Sequence, residues 1–77
     1  MSDNFQVPSR AAAVTPSDTT ELEASALFVG GAGNVAVVTE GGDTVTFTGV
    51  QAGSMLVLRI KQVRSTSTTA TNIVRLW

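Results

Sequence analysis

The chain has 77 residues, a formal net charge of −1 and neither cysteine nor histidine, which excludes disulfides, thiolate metal sites and the commonest general base. Charged residues are sparse and form no basic patch with interleaved aromatic residues, and no apolar run reaches the ~18 residues of a membrane span. We therefore expect no nucleic-acid partner and no membrane partner. A core of this size supplies only about 3–5 kcal/mol of stability without a disulfide or a metal ion, so we expect the chain to associate with other chains.

The first predicted element is an extended N-terminal arm over residues 1–20. This segment is rich in Ser, Thr, Ala and Asp, and its two prolines favour extended backbone in the residues that precede them. The arm is either a disordered tail or an anchor that lies along a neighbouring protein. In the second case its apolar residues Phe5, Val7 and Val14 are the candidate anchoring residues.

The remaining residues, 21–77, are predicted to form an all-β domain. Valine and threonine are the most numerous residue types, both are β-branched, and no segment has the 3.6-residue apolar period of a helix. Short runs separated by glycine turns predict a small antiparallel β-barrel or sandwich, jelly-roll-like, with five or six strands. The predicted strands cover residues 20–24, 26–30, 34–40, 43–49, 55–64 and 72–76.

The glycine-rich segment Gly31–Ala36 matches the G-x-G-x-x-A pattern of dinucleotide-binding loops. That chemistry needs a helix N-terminus directed at the pyrophosphate, because the backbone N–H groups there bind the anion. The residues that follow Gly33 read as a strand and a turn instead. We therefore interpret these glycines as turn residues.

The next two predicted strands form a hairpin with Gly41 and Gly42 as a two-residue loop. This register places Ala36 opposite Phe47, so the predicted core face carries Ala36, Val38, Val45 and Phe47. The other face is half apolar and suits contact with another subunit. The candidate interface residues are Val35, Val37, Thr46 and Thr48 on that face, together with the C-terminal Trp77, because tryptophan is enriched at interfaces.

The strand predicted over 55–64 alternates, with Leu56, Leu58 and Ile60 on one side, but Val63 breaks the alternation. Either a bulge intervenes or both sides are apolar near the end of the strand. Charge is also uneven, because all acidic residues precede Thr44 and four of the five basic residues follow Leu58. The two charge groups lie either on complementary strands of one sheet or in head-to-tail contacts between subunits.

Nothing in the sequence indicates catalysis. Serine and threonine hydroxyls are abundant, but there is no histidine to activate one, so we predict no enzyme, no cofactor and no metal site. The threonine-rich run over 65–71 is either a solvated loop or a surface for polar or glycan contacts. A carbohydrate-binding β module that uses this loop or Trp77 therefore stays open as an alternative function.

Several ordered segments together resemble the small spike base proteins of tailed phages and gene transfer agents. They are V-T-P-S-D-T (14–19), A-L-F-V-G-G-A-G-N-V (26–35), G-G-D-T-V-T-F (41–47), V-Q-A-G (50–53), L-x-L-R-I-x-x-V (56–63) and T-T-A-T-N-I-V-R-L-W (68–77). The resemblance implies a virion structural protein without catalytic residues, assembled in the host cytoplasm, with a capsid decoration protein as the alternative to a spike base. It further implies a homo-oligomeric ring, a trimer or pentamer, on the capsid surface at a vertex, with the capsid protein and a spike fibre protein as partners.

Overall fold

Seven β-strands make up the regular structure of residues 7–77, the part of the chain that the computed structural model describes. They are β1 (Ala11–Ala13), β2 (Ala26–Gly31), β3 (Gly33–Thr39), β4 (Thr44–Val50), β5 (Ser54–Leu56), β6 (Ile60–Val63) and β7 (Thr71–Leu76).

All strand pairs are antiparallel, and the strands form two sheets with the orders β1-β7-β2-β5 and β4-β3-β6. The core lies between the sheets and is built from small and branched apolar residues. Its largest fully buried side chains are Leu27, Val29, Val35, Val37 and Val63. The predicted all-β sandwich or barrel is confirmed.

The β3–β4 hairpin differs by one residue from the predicted register. The Thr39 N–H donates to the Asp43 carbonyl at 2.8 Å, and the Gly42 N–H donates to the Thr39 carbonyl at 2.9 Å. The loop is therefore three residues long, Glu40 to Gly42, with Gly42 at a φ of 98° where a side chain would be strained.

The one-residue shift exchanges the two predicted faces of β3, whereas β4 keeps its predicted faces, with Phe47 packed against the core. Val35 pairs with Phe47 and Val37 pairs with Val45, and the side chains of Val35 and Val37 have no exposed surface. Their predicted place on an outer face is wrong, because a shift of one residue turns every side chain of a strand to the other face. Val45, predicted in the core, is 40% exposed.

The segment predicted as one strand over 55–64 is two strands in different sheets. β5 pairs with β2 in one sheet, whereas β6 pairs with β3 in the other. The alternation up to Ile60 holds across this crossing, since Leu56 and Leu58 pack against the core. Val38 pairs with Gln62 and Thr39 with Ile60, so Lys61 is an extra residue, and of the two alternatives left open by the sequence the structure has the bulge.

The described part of the predicted arm, residues 7–20, packs on the same chain. β1 pairs with β7, and the half-buried Val14 packs against the core. The strand predicted over 20–24 is reduced to a single bridge between Ala24 and Ile60. Phe5 lies outside the described residues, and the division of the chain into two parts at residue 20 stays a prediction.

Candidate interaction surfaces

The glycines at the corner between β2 and β3 allow the segment around Ala70 and Thr71 to approach the backbone closely. A side chain on Gly31 would collide with the side chain of Thr71, and a Cβ on Gly33 would lie 2.5 Å from the backbone nitrogen of Ala70. Strand β3 begins at Gly33, so no helix N-terminus faces the corner. These glycines are corner residues, as the sequence predicts, and the nucleotide-loop pattern is coincidental.

The threonine-rich loop provides β3 with hydrogen bonds where β6 has ended. The Thr68 hydroxyl accepts from the Ala36 N–H at 2.9 Å, and the Thr69 hydroxyl accepts from the Asn34 N–H at 2.8 Å. The Asn34 carbonyl in turn accepts from the N–H groups of Thr69 and Ala70. Two threonine hydroxyls of this run are therefore hydrogen-bonded within the chain.

The carboxylate of Asp18 ties the N-terminal segment to the start of the same loop. It accepts hydrogen bonds from the N–H groups of Ser65 and Thr66, at 3.0 and 3.1 Å, and from the Thr66 hydroxyl. These bonds, chiefly those from Thr66, lower the pKa of Asp18 to about 2, and the Arg64 guanidinium at 3.7 Å adds to the effect.

The C-terminal Trp77 is held by both ends of the chain. Its carbonyl accepts from the N–H groups of Ser9 and Arg10, and its N–H donates to the Arg10 carbonyl. The guanidinium carbons of Arg75 and Arg10 lie 3.7 and 5.2 Å from the centroid of its ring. Trp77 is half-buried by these contacts, and its predicted interface role stays a prediction.

The uneven charge distribution is partly explained within one chain. A carboxylate oxygen of Glu40 lies 3.7 Å from a guanidinium nitrogen of Arg59, and one of Asp18 lies at the same distance from a guanidinium nitrogen of Arg64. Two acidic residues from the first part of the chain therefore pair with basic residues from the last part. These contacts fit the interpretation that the two charge groups lie on complementary segments of one chain. Both pairs are solvent-accessible and contribute little to stability.

The outer face of the four-stranded sheet is apolar from edge to edge. The strand registers align Ala13 with Val74, Val74 with Phe28, and Phe28 with Met55. Phe28 is 37% exposed and Met55 52% exposed. We call this row the outer apolar face.

Beside this row lies an apolar groove of about 410 Å³. Its lining includes the exposed residues Val7 and Val57, together with Pro8, Ala26, Met55 and Leu76. Of the described arm residues, Val7 thus lines an open surface, whereas Val14 packs on its own chain. Contiguous exposed apolar surface of this kind is typical of protein–protein contacts.

The sequence analysis did not single out the outer apolar face. Phe28 stands between Leu27 and Val29, which are fully buried, so β2 is apolar on both faces. An apolar run without polar alternation is typical of a strand that is covered on both sides. That signal could have identified the face, since Phe28 stays exposed on one side of β2 although Leu27 and Val29 on the other side are buried.

Two classes of site are not found in the described part of the chain. Residues 7–77 contain no group of three acidic, histidine or cysteine side chains that could hold a metal ion. Nor does this part contain a helix that is long and apolar enough to cross a membrane.

The chain is similar to a chain of a solved structure described as the capsid of a native GTA (gene transfer agent) particle computed with C5 symmetry. The two sequences are 40% identical, the match covers 91% of this chain and 83% of that chain, and the TM-score is 0.81. No family model and no curated protein matches the chain. Identity at this level over most of both chains indicates common descent as well as a common fold.

Proposed function

This chain belongs to the same family as a capsid-associated protein of a gene transfer agent, and from that premise we propose that it is the base of a capsid spike. It is a virion structural protein, since its relative is a chain of a capsid. The identity to a chain of a native particle is the observation that carries the proposal.

In the proposed arrangement, copies of the chain form a ring at a capsid vertex, between the capsid protein and a spike fibre protein. A ring of five copies would be compatible with the C5 symmetry with which the related capsid was computed. Heterologous contacts between identical subunits close into such a ring. Assembly would take place in the host cytoplasm, and the finished ring would be part of the particle.

Two physical features support an assembly role. The chain has no disulfide and a thin core, so contacts with other chains would supplement its stability. The outer apolar face, with Phe28 and Met55 exposed, provides a surface that such contacts would remove from water.

A capsid decoration protein is the second candidate, because similarity to a capsid-particle chain supports it equally. It differs from a spike base in position, since decoration proteins cover capsomers and not only vertices. A carbohydrate-binding module has less support, because the Thr68 and Thr69 hydroxyls bond within the chain and Arg75 covers the Trp77 ring.

The experiment is a comparison of particles made with and without this chain by cryo-electron microscopy, with local reconstruction of the vertices. We expect the deletion to remove density at the vertices together with the fibre, and expression of the chain in trans to restore both. Density lost over all capsomers would favour decoration. Unchanged particles would contradict both assignments.

A further inference from the structure

Strand β4 is the long sheet edge that the described chain leaves open. The edge of β6 is covered, because the Leu22 N–H donates to the Lys61 carbonyl at 2.8 Å and Ala24 bridges to Ile60. Strands β1 and β5, at the edges of the other sheet, have three residues each. Short or covered edges are the usual protection against strand addition.

Strand β4 lacks that protection. It has seven residues, and no charged residue and no proline occurs from Thr44 to Leu58. Proteins commonly place lysine or proline on exposed edges to block pairing with other chains. A long and uncharged edge therefore indicates a strand that receives a partner.

The hydrogen bonds of β3 show which groups of β4 face outward. Asn34 and Ala36 direct their backbone groups toward the threonine-rich loop, so the intervening Val35 and Val37 direct theirs toward β4. Because bonding alternates in an antiparallel ladder, Thr44 and Thr46 direct their N–H and carbonyl groups away from β3. These groups form the free edge.

The side chains of β4 are symmetric about Thr46, in the order Thr-Val-Thr-Phe-Thr from residue 44 to residue 48. Antiparallel pairing of this strand with itself places Thr44 opposite Thr48 and Val45 opposite Phe47. Threonines then meet on one face and apolar side chains on the other, which is the match that fixes a register. The exposed Val45 would be covered by Phe47 of the second strand.

We propose that β4 pairs with β4 of a second copy of this chain, around a twofold axis at Thr46. The pair joins two three-stranded sheets into one sheet with the order β6-β3-β4-β4-β3-β6. The outer apolar face lies on the other sheet and stays free. This pairing concerns the free chain in solution and does not rest on the proposed role in a spike. Neighbours in a ring of five are not related by a twofold axis, so the pair would separate before such a ring forms.

Cysteine cross-linking tests the pairing directly, since the chain has no cysteine of its own. Outward-bonding residues directly opposite each other have Cα atoms about 5.5 Å apart, within the range of a disulfide. Thr46→Cys should form a disulfide-linked dimer on mild oxidation. The matched control is Thr20→Cys, an exposed threonine on the segment between β1 and β2, which should cross-link at least about tenfold less.

Sedimentation provides the second measurement. We expect the wild-type chain, of 8.0 kDa, to sediment as a dimer at micromolar concentration. Thr46→Lys should sediment as a folded monomer, because two lysines would meet across the axis. Thr20→Lys adds the same charge and should stay dimeric, and circular dichroism should show the same β-sheet spectrum for all three proteins.

Two results would overturn the pairing: Thr46→Cys cross-linking no better than Thr20→Cys, or Thr46→Lys keeping the wild-type mass. If the chain forms a ring whose mass Thr46→Lys leaves unchanged, the edge pairing is wrong while the spike-base proposal stands. If Thr46→Cys cross-links but deletion leaves the particles unchanged, only the spike-base proposal fails.

Discussion

The guanidinium carbon of Arg75 lies 3.7 Å from the centroid of the Trp77 ring, two residues further along the chain. The same guanidinium donates to the Glu23 carbonyl at 2.8 Å, so one side chain joins β7, the C-terminal residue and the segment before β2. Arg10 approaches the same ring less closely, at 5.2 Å. The two arginines therefore differ in a way that mutation can measure.

Arg75→Ala should lower the free energy of unfolding by about 1–2 kcal/mol, because it removes a cation–π contact and a charged hydrogen bond. Arg10→Ala should cost less, about 0.5 kcal/mol, because its guanidinium is farther from the ring. Urea denaturation followed by the fluorescence of Trp77, the one tryptophan of the chain, measures both. Equal effects of the two substitutions would contradict this account of the chain ends.

Asp18 makes stability depend on pH in a defined window. Its pKa falls from 3.8 to about 2 on folding, so its contribution is present above pH 3.8 and is lost as pH falls through about 2. In Asp18→Asn this part of the pH dependence should disappear. The measurement is the melting temperature against pH for both proteins, with Glu21→Gln as the control for the change in net charge. Parallel curves for wild type and Asp18→Asn would show that the contacts with Thr66 do not stabilise the fold.

The corner glycine Gly33 should not tolerate a side chain, whereas the hairpin glycine Gly41 should. A Cβ on Gly33 meets the backbone of Ala70, while a Cβ on Gly41 meets only side-chain atoms at 3.9 Å. We expect Gly33→Ala to cost about 1–3 kcal/mol, because the obstacle is backbone. Gly41→Ala should change stability by less than about 1 kcal/mol. Thermal unfolding of the two variants checks this, and similar losses would mean that the close approach of β3 to the loop is not needed.

The hairpin register can be tested with two neighbouring valines. Val37 is fully buried and Val38 is half-buried, so Val37→Thr places a hydroxyl in the core and should cost about 1–3 kcal/mol. Val38→Thr, with the same change in shape and chemistry, should cost less than half as much. If chemical denaturation showed a larger loss for Val38→Thr than for Val37→Thr, the register predicted from the sequence would be the correct one.

The strands were predictable because valine and threonine dominate and alternate around glycine turns, and this pattern depends only on neighbouring residues. The register of the β3–β4 hairpin was not predictable, because Gly41 and Gly42 suit both a two-residue loop and the observed three-residue loop from Glu40 to Gly42. One residue of loop length decides which face Val35 occupies.

The candidate surfaces were less predictable than the strands. Thr68 bonds to Ala36, which lies 32 residues away, and no local pattern distinguishes this contact from a solvated loop. The strand over 26–30 was predicted, but no face was assigned to Phe28, because an apolar run has no polar alternation that distinguishes its two sides. Thr46 and Thr48 lie on the outer face of β4, as predicted, while Val35 and Val37 do not share that face, and the interface role of the two threonines stays a prediction.

The outer apolar face should be needed for assembly and not for folding. Met55 is 52% exposed, so Met55→Asp should leave the fold and its circular dichroism spectrum intact. A buried charge is costly at an interface, so the same variant should fail to join particles that lack the chain. Thr20→Asp carries the same added charge on an exposed position and should assemble normally. Assembly of Met55→Asp at the wild-type level would show that this face is not the contact.

The most direct measurement is the occupancy of the vertices after purified chain is added to particles that lack it, determined by cryo-electron microscopy. The account predicts a ring of five copies at each vertex, with density that matches the two-sheet fold and is absent elsewhere on the capsid. Vertices that stay empty, or density spread evenly over the capsomers, would contradict it.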